Sequence, residues 1–97
     1  MIDIHATFDK YEDEFLKFER IPPDRKLHAR PDLCAFLLLD RLVPGDCDMV
    51  AGAEHDEIWL EVSVDILASV ATDEDLLTLC RCGVRYDGDA DSLAMFA

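Results

Sequence analysis

Residues 33–39, LCAFLLL, are seven consecutive apolar side chains in a chain of 97. No other stretch limits the fold as tightly. A run of this length must be buried, and a chain this short has one modest core in which to bury it. It falls far short of the ~20 apolar residues that cross a bilayer. Length alone leaves strand and helix open, and three features choose helix. Pro31 suits the first helical position, and Asp32 complements the positive end of the helix dipole. The apolar residues are mainly Leu, Phe and Ala, with little β-branching before Val43. Pro44–Gly45 supplies the stop. The expectation is a central helix over 31–43, apolar nearly all round, with Leu33, Phe36, Leu37 and at least one of Leu38 and Leu39 in the core.

The remaining elements arrange themselves around that helix. Phe8, Tyr11, Phe15 and Phe18 recur at helical spacing and predict a helix over 8–20, ended by Pro22–Pro23. Asp9 with Glu12 resembles a capping box, and Asp13–Lys17 adds an i,i+4 pair. The segment ERIPPDRKLHAR reads as a loop. Residues 44–56, PGDCDMVAGAEHD, read as a long connection with at most one helical turn near Val50. EIWLEVSV alternates cleanly and predicts a half-buried strand over 57–64, with Ile58, Leu60, Val62 and Val64 on one face and Trp59, Glu61 and Ser63 on the other. A short helix follows over 65–71. Thr72, followed by Asp73, Glu74 and Asp75, looks like an N-cap with an acidic first turn. The helix it opens, 73–82, should turn Leu76, Leu77 and Cys80 inward and stop at Gly83 as a left-handed cap. Strands 84–87 and 92–96 close a hairpin. The prediction is one α+β domain over 1–97, with a small, mostly antiparallel three-stranded sheet packed against helices.

Charge is the strongest signal about partners. The chain holds 22 acids and 9 bases, for a net charge of −13. Residues 43–97 hold thirteen of the acids but only Arg81 and Arg85 among the bases. Such a half repels nucleic acid and attracts a basic protein surface. The amphipathic, acidic start, MIDIHATFDKYEDEF, is unlike a signal or transit peptide, so the expected compartment is the cytoplasm. Cys34, Cys47, Cys80 and Cys82 are then expected to be free thiols.

Few constellations carry chemistry. Asp87, Asp89 and Asp91 alternate as at the start of a calcium loop, but such a loop needs Gly at its sixth position, which here is Ser92. Asp and Gly are equally what a tight turn requires, and a turn is the reading taken. Cys80 and Cys82 with Cys47 and His55 could form a zinc tetrahedron, yet the single-residue spacing is wrong, and a helix would project the paired thiols apart. One buried and one half-buried thiol, and no metal, are expected. Asp46, Asp48, His55 and Asp56 are raw materials for a metal or a general base, with nothing to fix their geometry. None of Ser63, Ser69 and Ser92 lies in a nucleophile elbow, and the glycines stand apart at 45, 52, 83 and 88, so no phosphate loop exists. The expectation is a protein without catalytic residues or cofactor. Arg20, Arg25, Lys26, His28 and Arg30 form a basic loop without interleaved aromatics, read as solvated or as neutralising the fold's own acids rather than binding nucleic acid. Trp59 lies opposite the apolar strand face. Either a helix covers it, the favoured reading because most tryptophans are highly buried, or it stands half exposed among Glu57 and Glu61 as a binding anchor.

HDEIWLEV (55–62) and RCGVRYD (81–87) resemble stretches of small bacteriophage and prophage proteins of unassigned activity. The resemblance implies a setting, an accessory protein in the cytoplasm of a bacterial host, and assigns no site residues. In size and charge the chain is also similar to small acidic phage inhibitors of restriction and CRISPR systems, which occupy nucleic-acid-binding surfaces. The expected function is therefore a non-enzymatic inhibitor or adaptor docking on a basic host protein, as a nucleic-acid mimic. Its candidate contacts are Asp73, Glu74, Asp75, Asp87, Asp89, Asp91, Glu57, Glu61 and Trp59. The alternative is a self-associating assembly protein, a homo-oligomer.

Overall fold

A computed structural model describes residues 1–96. Among these residues the elements run α1 (Ile4–Lys10), α2 (Pro31–Leu42), β1 (Val50–Glu54), β2 (Glu57–Leu60), α3 (Val64–Val70), α4 (Asp73–Arg81), β3 (Val84–Asp87) and β4 (Ser92–Phe96). The strands form one antiparallel sheet of order β1-β2-β4-β3, in which two hairpins meet at the β2–β4 seam. The fold is α+β, with four strands rather than three. None of the described helices is long and apolar enough to cross a membrane.

The additional strand is β1, read from sequence as a connection. Its VAGAE sequence carries one β-branched residue, so local propensity hides it. The two-residue turn His55–Asp56 creates it by folding the chain back so that Glu54 pairs with Glu57 and Gly52 with Trp59. His55 takes a positive φ of 56° there. Histidine is among the non-glycine residues that tolerate the left-handed region best. β2 ends at Leu60, short of the predicted 64, because Ser63 turns to cap α3 by accepting from the Ile66 N–H at 3.2 Å.

The first helix also departs from expectation. It begins at Ile4, capped by Asp3, whose side chain accepts from Ala6 N at 3.0 Å, and it ends at Lys10. Two short 3-10 turns, Glu12–Glu14 and Phe18–Arg20, replace its predicted second half. Tertiary bonds outcompete the helix: Glu14 accepts from Arg81 Nε at 3.0 Å, and Leu16 N donates to Cys80 O at 3.2 Å. Neither the Asp9–Glu12 box nor the Asp13–Lys17 pair forms. The aromatic stripe survives the change, with Phe8 buried and Tyr11, Phe15 and Phe18 packed at the margin of the core.

α2 matches its predicted span but is not central. Cys34, Ala35 and Leu39 are fully buried, while Leu37 is 44 % exposed. The helix buries one stripe, since the helical layer has solvent on its far side. α4 follows its local signals. Thr72 and Asp75 form a reciprocal capping box, and Gly83 takes φ 101° just past the helix end. Leu76, Leu79 and Cys80 turn inward with exposures of 0, 0 and 2 %.

A candidate partner-binding face

Register assigns the two faces of the sheet. Gly52, Trp59, Ala94 and Arg85 stand abreast across the four strands, with Glu54, Glu57 and Phe96 in the next row on the same face. Ile58, Leu60, Leu93, Met95 and Val84 alternate to the other face and join the helices in the core cluster. Trp59, Ala94 and Phe96 lie outside that cluster. Trp59 is not drawn into the helix-packed core, contrary to the favoured sequence reading, and Phe15, from outside the sheet, reaches the outer face only at Phe96. Trp59 is half-buried there, and Phe96 is 59 % exposed.

Polar bonds fix these aromatics. Trp59 Nε1 donates to Asp87 Oδ2 at 3.0 Å. The other Asp87 oxygen accepts from Asp89 N at 3.0 Å and Ala90 N at 3.4 Å, so one carboxylate both orders the β3–β4 turn and holds the indole. The Trp59 bond, ahead of the turn amides, holds the Asp87 carboxyl below the usual aspartate range. The Arg85 guanidinium bonds Glu57 and lies 4.7 Å from the centroid of the Phe96 ring, while its Nε is buried without a hydrogen bond. Phe15 meets Phe96 edge-on with centroids 6.4 Å apart. Glu54, His55, Asp56, Glu57, Trp59 and Phe96 line an open groove at the β1–β2 turn. The result is an aromatic floor with a carboxylate rim.

Of the candidates named from sequence, Trp59, Glu57 and Asp87 share this face. The others lie elsewhere or are already engaged. Asp73 binds Lys10 Nζ at 2.6 Å and also accepts from the Tyr11 hydroxyl. Glu74 pairs with Arg25 at 2.5 Å, and Asp75 accepts from Thr72 N at 2.9 Å. Asp91 accepts from the Tyr86 hydroxyl at 2.6 Å. Asp89 is exposed at the turn, and Glu61 borders a separate depression with Asp40 and Asp46. The acids do not converge on one surface. Glu54, Asp56 and Phe96 were not among the named contacts. The acidity of 54–57 flanking a strand was their one available signal, and only strand order brings Phe96 beside it.

Two arginines of the basic loop, Arg20 and Arg25, neutralise the fold's own acids. Arg25 holds the start of α4, Arg20 and Arg81 share Glu14, and Lys26 lies 4.5 Å over the Phe18 ring. Lys10 and then Tyr11, by hydrogen bonding, hold the Asp73 carboxyl below its ordinary range. A lowered carboxyl contributes stability that is complete above the unfolded-state pKa and is lost as pH falls through the folded one. Asp73→Asn is therefore expected to lower the melting temperature near neutrality. The gap from the native chain should hold down to about pH 4 and narrow progressively below it, a comparison that cancels most of the shared self-repulsion. A gap independent of pH in thermal melts would mean that the pairing contributes nothing.

Both thiols of the Cys80–Cys82 pair are buried, not one, and burial pushes Cys80 up to about 11. Cys82 is held against Cys34 of α2 and is raised further by burial. Without a metal, such thiols stay protonated and are poor nucleophiles. Among the described residues no three His, Cys, Asp or Glu side chains stand together as a metal site. Comparison with protein-family models, with curated proteins and with solved structures finds no match to this chain.

Proposed function

We propose that this chain is a small, non-enzymatic binding protein that docks on a basic protein surface through the outer face of its sheet. The carrying observation is Trp59, the one tryptophan, which lies outside the core and beside the exposed Phe96 and the carboxylates of Glu54 and Asp56, while Glu57 next to them is paired with Arg85. An aromatic floor with an acidic rim recognises Lys and Arg, which place a cation over a ring face while donating to carboxylates. The fold contains one such arrangement internally, in Arg85 over Phe96 and against Glu57. A net charge of −13 steers the approach of a basic partner and raises its association rate.

Proteins that bind nucleic acid present such surfaces, and an accessory protein of a phage meets them in the host cytoplasm. Occupying one competes with its nucleic acid. The competition rests on an aromatic anchor with a local acidic rim, because the acids at the start of α4 are already paired with Lys10 and Arg25. A partner captured from bacterial lysate, then purified, is expected to bind Trp59→Ala at least about tenfold more weakly than the native chain, as a buried aromatic anchor would dictate. Binding should also weaken between ~0.05 and ~0.2 M salt, while Glu74→Gln leaves it within about twofold. Equal affinity for the native chain and Trp59→Ala would contradict the proposal.

A further inference from the structure

The docking face opens onto an unpaired strand. β1 is a lateral edge of the sheet, and among the described residues no loop or helix backbone hydrogen-bonds its outer side. The register sets which groups are free. Glu54–Glu57 closes the turn as a bonded pair, so Gly52–Trp59 is the next bonded pair, and Ala53 between them turns its N–H and C=O outward. Within the strand there is no Lys or Pro to blunt the edge. Its one irregularity, the register shift between Val50 and Gly52, leaves residues 52–54 regular.

Gly52 gives this edge a second property. It stands beside Trp59 with no side chain, and a Cβ added there would sit 4.0 Å from Trp59 Cε3. The indole is therefore approachable across β1. On an added strand, the residue opposite Gly52 would send its side chain to the outer face, about 10 Å or two strand spacings from the Trp59 backbone. A long side chain spans that gap. The next residue on the same face would meet Glu54.

We propose that β1 takes up an extended basic segment of the partner as a fifth strand, with Lys or Arg opposite Gly52 reaching over it to the face of Trp59. This rests on the reading of the outer face as the docking surface and adds to it the shape and charge of the segment bound. Main-chain bonds to Ala53 supply the pairing, and alternate basic side chains supply the selectivity. Charge decides against a second copy as the occupant, since two chains of −13 would bring matching acidic rims together.

The test uses a capped nine-residue peptide of alternating Thr and Lys, titrated into the whole chain by calorimetry. Saturable binding is expected, with none for the Thr/Glu counterpart. Ala53→Pro removes the outward N–H at a position where an edge strand accepts proline, and should weaken binding at least about tenfold. Gly52→Val fills the gap over Trp59 with a residue suited to a strand and should do the same. N-methylation of alternate peptide amides tests the pairing with the native protein, and should abolish binding in one of the two registers. If Trp59→Ala weakens binding while Ala53→Pro and N-methylation do not, strand addition is overturned and the docking face stands. If none of them matters, or the Lys peptide does not bind, strand addition fails, and the lysate partner's dependence on Trp59 judges the docking face separately. A dimer in sedimentation that Ala53→Pro dissociates would give the edge to a second copy and overturn the proposal.

Discussion

Replacing Leu39 with alanine is expected to cost about 2–5 kcal/mol of folding stability, whereas Leu37→Ala, on the same helix, should cost less than about 1 kcal/mol. Leu39 has no exposed surface and sits in the cluster that joins α2 to α4 and the sheet. Its truncation loses transfer free energy and leaves a cavity that its close-packed neighbours fill only in part. Leu37 is 44 % exposed and faces away from that cluster. Urea unfolding of both variants with unchanged m-values reads the difference directly. Similar losses at the two positions would restore the central helix that the apolar run suggests and would contradict the one-sided packing.

Gly83→Ala is expected to cost about 1–3 kcal/mol, because its backbone is left-handed. Gly83 ends α4 at φ 101°, where an L side chain is strained. A Cβ there would come within 2.9 Å of Leu16 Cδ2, the end of an exposed and flexible side chain that can turn aside. Leu16 is itself at φ 66° and is tied to Cys80 O, so the strand that follows α4 and the turn that follows α1 are locked together at this glycine. The same urea experiment checks it. A loss under about 0.5 kcal/mol would show that the backbone adapts without cost.

The contrast between these two positions shows which parts of the fold are legible in sequence. The α4 boundaries are readable because their signals are local: Thr72 and Asp75 cap one end, and Gly83 turns the other. The hairpin 84–87/92–96 is readable for the same reason. Leu37 misleads because a fully apolar run does not say which stripe faces the neighbours, and only the tertiary packing decides it. The stripe of Phe8, Tyr11, Phe15 and Phe18 gives the burial correctly and the helix wrongly, since 3-10 turns held by Arg81 and Cys80 reach the same core. β1 is illegible because its pairing comes from the turn at His55 and from β2, not from its own residues.

The docking face divides in the same way. Strand alternation alone places Trp59 and Glu57 together, opposite the apolar side. Asp87 joins them through strand order, and its distance from Trp59 in sequence hides the bond. The acids at the start of α4 look free in sequence because Lys10 lies 63 residues from Asp73. Their pairing turns a suspected binding patch into part of the scaffold.

Trp59 is the chain's only tryptophan, so its fluorescence reports on the outer face alone. Collisional quenching by caesium and by iodide, each taken relative to free N-acetyltryptophanamide, tests whether that face is both uncovered and acid-rimmed. Glu54, Asp56 and Asp87 lie around the indole, and the charge of Glu57 is offset by Arg85, so the net local charge is negative and cations should concentrate there while anions are excluded. The expected result is caesium quenching favoured over iodide quenching, with the preference shrinking as inert salt is raised. Weak quenching by both ions would mean that the indole is covered, and equal quenching by both would mean that it lacks an acidic rim. Either result would contradict the account.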